Sequence, residues 1–147
     1  MFVEIILPKS IIILLAKNQR GLKILKNLMG GNIMLMDHYV EFKNVSRIFH
    51  ECSKENGEYN EESKDELIDF LSRLDMKLIK DVKVILHIGK NEVDNCIHTP
   101  LELYKRTMTT FDIFKGWKDK ESEILGILEN KLISIHFDTG LEVLDMK

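Results

Sequence analysis

The sequence predicts an α/β fold in which helices cover both faces of a parallel sheet, giving three layers. Three short apolar runs, at residues 2–7, 32–36 and 132–137, are typical of buried strands. Each run is followed by a helix signal, and strands separated by helices need right-handed crossovers that make them parallel. A chain of 147 residues has room for one such unit, so we expect residues 1–147 to form a single domain.

Helical spacing of apolar residues and terminal signals predict the remaining elements. Capping boxes at Ser63–Glu66 and Thr99–Glu102 mark two helix starts, and Gly116 marks a helix end. Residues 76–79 suit either a short strand or a helix, whereas the residues after them fit a helix. The predicted helices span residues 10–16, 20–29, 37–52, 63–74, 82–97, 99–114, 118–130 and 141–144.

The composition is that of a folded, water-soluble chain, with 44% apolar and 31% charged residues. A net charge of −3 argues against a strongly basic nucleic-acid scaffold, although local basic patches remain open. The chain contains no run of about 20 apolar residues, so we expect no membrane span. With only two cysteines, Cys52 and Cys96, we expect reduced thiols and a cytoplasmic location.

Several acids are expected to meet at one edge of the predicted sheet. The carboxyl ends of parallel strands share an edge, and Asp37 and Asp138 each follow a predicted strand. Glu41 lies one helical turn after Asp37, and Asp119 or Glu121 begins the penultimate helix. Carboxylate oxygens suit Mg²⁺, which activates water toward phosphodiesters. The competing interpretation, favoured by spacing alone, is that Asp37 and Asp138 are helix caps and that the glutamates are solvated helix residues.

Two further patterns have both a functional and a structural reading. His50 with Cys52, and Cys96 with His98, contain zinc-ligand residue types, but the spacing favours small core cysteines. Trp117 and Lys118 could bind nucleic acid, the ring stacking on a base and the lysine contacting phosphate. A lone tryptophan beside a glycine turn is more often a packing residue. No phosphate-binding glycine loop and no Ser/His/Asp order is present.

Three segments, in this order along the chain, resemble the PIN domain family. PKSIIILL is similar to the D-[TS]-S-x-[LIV]-[LIV] pattern that ends the family's first strand. NIMLMDHYVEFKNV is similar to its second strand and the helix that carries a glutamate. ESEILGILENKLISIHFDTGLEVL is similar to the closing segment with the third and fourth acids. The chain departs from the family where Pro8, Glu121 and His136 replace an aspartate, an aspartate and a hydroxyl residue.

PIN domains are mostly small Mg²⁺-dependent ribonucleases, and many are toxins of toxin–antitoxin pairs. The resemblance implies an RNA hydrolase with Glu41, Glu121 and Asp138 as catalytic residues and metal ligands, and Asp37 and Asp119 as further ligands. Lys9, Lys118 and Trp117 would contact the RNA. Because Pro8 removes one acid, we expect binding of Mg²⁺ or Mn²⁺ to be weak or absent.

The resemblance also implies an antitoxin-like protein partner and a homodimer. We expect the dimer contact in the middle of the chain, where Phe111, Phe114 and Trp117 cluster. Whether the chain is an enzyme stays open at this point. The alternative is a catalytically inactive PIN-like module for binding or dimerisation, and a third reading is an unrelated α/β domain.

Overall fold

The computed structural model describes Arg20 and residues 38–146, and these residues are mainly helical, with an isolated β-bridge between Ser53 and Tyr59 and no β-strand. The helices are α1 (Tyr39–Glu51), α2 (Lys64–Ser72), α3 (Met76–Asn91), α4 (Pro100–Thr110), α5 (Lys120–Leu128) and α6 (Ile133–Val143). The predicted three-layer α/β fold is therefore wrong for this part of the chain. The predicted strands at residues 2–7 and 32–36 lie outside the described residues. No described helix has the length and apolar character needed to cross a membrane.

Helix α3 is the centre of the described core. It packs against α4, α5 and α6, and its buried residues include Ile79, Val82, Ile85 and Ile88. Its first residues, 76–79, are helical, so the strand reading of that segment is wrong. Asp75 caps the helix, because its side chain accepts the backbone N–H of Leu78 at 2.9 Å. Around α3, α1 packs on α6 and α2 packs on α5.

Residues 132–137 were predicted to be a strand, and this prediction is wrong because they begin helix α6. The β-branched residues of LISIHF favour a strand locally. The longer pattern is helical, since Ile133, Phe137 and Leu141 recur at intervals of four and are all buried. Burial of that face against α3 and α1 decides the structure. Gly140 lies inside the helix.

Helices α3 and α6 meet at two glycines. A Cβ atom at Gly89 would lie 2.6 Å from the backbone nitrogen of Gly140 and would overlap the carbonyl oxygen of His136. A Cβ atom at Gly140 would overlap the carbonyl oxygen of Ile85. The two backbones therefore pack directly against each other. This close crossing places the acids of α6 beside α1 rather than at a sheet edge.

The capping signals were read correctly at one helix and wrongly at another. At α4, the side chain of Thr99 accepts the N–H of Glu102, and the glutamate accepts the N–H of Thr99, as predicted. At α2, Ser63 makes no capping hydrogen bond. Asn60 instead accepts the N–H of Glu62 at 3.1 Å and begins a short 3₁₀ turn that leads into the helix.

Helix α4 continues into a π-helical turn, Phe111–Lys115, which ends at Gly116. The N–H of Gly116 donates to the carbonyl of Phe111 at 2.7 Å, which closes the wider turn. Gly116 has a φ of +69°, a conformation that favours glycine, so the predicted break at this residue is confirmed. The turn leaves Ile113 and Phe114 68% and 82% exposed.

Candidate functional site

The acids predicted to bind metal are distributed over different helices. Glu41 lies exposed in the first turn of α1, and Asp138 lies on α6, which packs against α1. Asp119 and Glu121 lie at the start of α5, which packs against α2 and α3. Asp37 lies outside the described residues. Among the residues that the structure describes, no three His, Cys, Asp or Glu side chains form a group suited to a metal ion.

Asp138 joins α6 to α1. One carboxylate oxygen accepts a hydrogen bond from the hydroxyl of Ser46 at 2.6 Å, and the other is paired with Nε2 of His50. The carboxylate is 16% exposed and the imidazole is 56% exposed. A nucleophile and its base are joined by a hydrogen bond, whereas the hydrogen bonds of Ser46 and His50 in the described part of the chain go to the carboxylate. The arrangement is a bridge between two helices.

Asp119 acts as a helix cap. Its carboxylate accepts the backbone N–H of Ser122 at 2.7 Å, and this hydrogen bond lowers the pKa of Asp119. Glu121 lies in the first turn of the same helix, where a negative charge is favourable in any case. Glu121 is thus a solvated helix residue, as the competing interpretation predicted, whereas Asp138, which that interpretation made a cap, lies inside α6. The prediction of a magnesium nuclease stays a prediction, and Pro8 and Lys9 lie outside the described residues.

Trp117 packs on the protein's own side chains. Its ring stacks on Phe111 with centroids 5.3 Å apart, and its Nε1–H donates to Asp112 at 2.6 Å. The ammonium groups of Lys80 and Lys83 lie 5.4 and 6.0 Å from the ring centroid. These contacts support the packing reading of the residue. The side chain of neighbouring Lys118 is exposed, and its backbone N–H donates to Glu123.

The histidine and cysteine pairs do not converge in the described part of the chain. Both cysteines were predicted to be small core residues. Cys52 is buried, so the prediction is confirmed there, but Cys96 is exposed, so it is wrong for the second cysteine. His50 is paired with Asp138. His98 belongs to the segment between α3 and α4 and hydrogen-bonds with Asn95.

A groove of about 560 Å³ opens between the last turns of α3, the segment that follows them, and α4. Nine of the ten residues that line the groove are polar or charged by type, and Leu103 is the apolar one. Its lining residues are His87, Glu92, Asn95, His98, Leu103, Lys105, Arg106, Thr107, Thr109 and Thr110. The exposed side chains of Ile113 and Phe114 follow three and four residues after Thr110.

Local sequence patterns indicate only some of the residues that line this groove. In the sequence, Lys105 and Arg106 form an adjacent basic pair and are followed by three threonines at positions 107, 109 and 110. The contribution of His87 and Asn95 depends on how α3 and its following segment lie against α4, which local patterns do not specify. No protein-family model, curated protein or solved structure matches the chain.

Proposed function

We propose that the chain is a binding module that pairs with a second copy of itself through the π-helical turn at residues 111–115. The main support for this proposal is that two adjacent large apolar side chains are exposed, Ile113 at 68% and Phe114 at 82%. The third hydrophobic residue of the turn, Phe111, is buried against His87 and Trp117. π-Helical turns occur frequently at functional sites, and contiguous exposed apolar side chains mark interaction surfaces when the patch is large.

The charges around this turn favour a second copy as the partner. Asp112 and Lys115 flank the two apolar residues, and Lys118 and Asp119 follow closely in the chain. Their charges sum to zero, so two copies can approach through this surface without net repulsion. A two-fold axis at the turn would place residues of opposite charge within reach of each other.

The small number of exposed apolar side chains determines how stable we expect the dimer to be. Two apolar side chains from each copy contribute about 6–12 kcal/mol in total, at about 1.5–3 kcal/mol for each. Association costs about 4–15 kcal/mol in lost translational and rotational freedom. The two figures nearly cancel, so we expect a dimer that dissociates when diluted.

Light scattering over a range of concentrations tests the proposal. The wild type should approach twice the chain mass of 17.2 kDa at high concentration. Phe114→Ser should remain at the mass of one chain. Val40→Ser is a matched control, since Val40 is 56% exposed on α1. A single-chain mass for the wild type at every concentration, or equal loss of dimer in both variants, would contradict the proposal.

A further inference from the structure

The groove between α3 and α4 has a set of fixed hydrogen-bond donors. Asn95 provides the first part of this arrangement. Its side-chain oxygen accepts the backbone N–H groups of Ile97 and His98, both at 3.1 Å, which fixes the orientation of the amide. The amide nitrogen of Asn95 then donates to Nδ1 of His98 at 3.2 Å. Because Nδ1 accepts a hydrogen bond, the proton of the neutral imidazole is on Nε2.

On α3, a second asparagine also places its amide nitrogen next to Nδ1 of a histidine. The amide nitrogen of Asn91 donates to the backbone oxygen of His87 at 3.1 Å and lies 3.3 Å from Nδ1 of the same residue. Nε2 of His87 therefore carries the proton as well. Burial, followed by the charge of Lys115, lowers the pKa of His87, so the ring is neutral at neutral pH. Neither Nε2 hydrogen-bonds to another group in the described part of the chain.

Two permanent positive charges line the same groove. Lys105 and Arg106 are both exposed at its wall, and Lys115 and Lys90 are near enough to His87 to affect its pKa. The carboxylate of Glu92 also lines the groove. It accepts a hydrogen bond from Asn95 at 3.2 Å, which occupies one of its oxygens. The groove thus combines neutral donors with a majority of positive charges.

We propose that this groove is a binding site for a phosphate monoester, with Arg106 and Lys105 as the counter-charges and the Nε2–H groups of His87 and His98 as neutral donors. A phosphate monoester carries about −1.5 to −2 charges at neutral pH and three acceptor oxygens. A guanidinium donates two parallel hydrogen bonds to such a group. The proposal is independent of the pairing through the π-helical turn.

Nitrogen-detected NMR of the histidine side chains tests the proposal, with O-phospho-L-serine as the probe and L-serine as its uncharged-side-chain control. We expect saturable shifts of Nε2 in His87 and His98 with the phosphorylated compound only. Inorganic phosphate should compete, which shows that the phosphate group itself is recognised. A ten-nucleotide uridylate with no terminal phosphate should bind more weakly than O-phosphoserine, because a phosphodiester carries a single charge.

Arg106→Gln is the informative variant, and Arg73→Gln is its control. Arg73 is an exposed arginine on the last turn of α2, paired with Asp69. We expect the affinity for O-phosphoserine to fall at least tenfold, or about 1.4 kcal/mol, in the first variant only. Absence of saturable shifts in the wild type, equal affinities in the two variants, or preference for the uridylate would each overturn the proposal. Light scattering on Arg106→Gln should still show the same dimer as the wild type.

Discussion

The role assigned to Asp138 differs between the sequence and the structure. Next to a predicted strand it was a candidate metal ligand, whereas on α6 it accepts a hydrogen bond from Ser46 and pairs with His50. The two interpretations make opposite statements about stability. A carboxylate in a group of repelling acids destabilises the metal-free protein, and a carboxylate that bridges two helices stabilises it.

We therefore expect Asp138→Asn to lower the free energy of unfolding by about 1–2 kcal/mol, because the charge-assisted contacts to α1 are lost. Urea denaturation in buffer with a chelator measures this change. Asp119→Asn, which keeps a capping oxygen at an exposed helix start, should leave stability close to that of the wild type. A rise in stability of the Asp138→Asn variant would favour the metal-ligand reading.

Asp81 gives an expectation about pH. It is 4% exposed, and burial raises its pKa, although the hydroxyl of Tyr104 donates a hydrogen bond to it and partly opposes this effect. His38 and Lys77 lower the pKa and Asp75 raises it to smaller extents. A raised pKa in the folded state means that the folded protein binds the proton more tightly than the unfolded chain. The stabilisation is complete below pH 3.8 and is lost as the pH rises through the folded-state pKa.

Asp81→Asn removes this titration and keeps an oxygen that accepts the Tyr104 hydroxyl. The difference in unfolding free energy, variant minus wild type, should therefore increase from pH 4 to pH 7. The increase is about 1.4 kcal/mol for every pH unit by which the pKa is raised. Urea denaturation at four pH values measures it. A difference that stays constant over this range would show that Asp81 titrates in the folded protein as it does in the unfolded chain.

The crossing of α3 and α6 is the element-scale feature on which the described fold depends. Gly89→Ala places a methyl group against the backbone of His136 and Gly140, where no flexible side chain can move away. We expect a loss of about 1–3 kcal/mol in unfolding free energy, the range for overpacked cores. Thermal and urea denaturation followed by circular dichroism measure the loss.

Gly126→Ala is the matched control, because this glycine is also inside a helix, α5. The atom nearest to its new Cβ, at 3.2 Å, is the end of the flexible Lys83 side chain. Alanine favours a helix over glycine by about 1 kcal/mol, so we expect the control to equal or exceed the wild type in stability. Equal stability of Gly89→Ala and Gly126→Ala would contradict the close crossing.

The elements differ in how well their sequences predict them. Thr99–Glu102 was correctly identified as a helix start because a capping box, with Pro100 after it, uses only local hydrogen bonds. The end at Gly116 was also local, since it depends on one residue's backbone conformation. The segment 132–137 was misread because its β-branched residues favour a strand, while burial against α3 and α1 favours a helix. Tertiary packing determined that element.

At the scale of the whole molecule, one misread segment changed the interpretation of the candidate site. The predicted sheet edge was the reason to bring Asp37, Glu121 and Asp138 together. Without a strand at 132–137, Glu121 and Asp138 lie on separate helices, and the groove between α3 and α4 becomes the candidate binding surface. Its donors come from residues about 20 positions apart, such as His87 and Arg106, whose proximity no local pattern indicates.

The described packing depends on a helix at residues 133–143 that crosses α3 at Gly89 and Gly140. Backbone-assigned NMR of the whole chain tests it most directly, through the Cα chemical shifts of this segment and contacts between the α-protons of the two glycines. We expect helical Cα shifts throughout 133–143 and a strong contact between the α-protons of Gly89 and Gly140. Extended shifts at residues 133–137, with cross-strand contacts in place of the glycine contact, would contradict it.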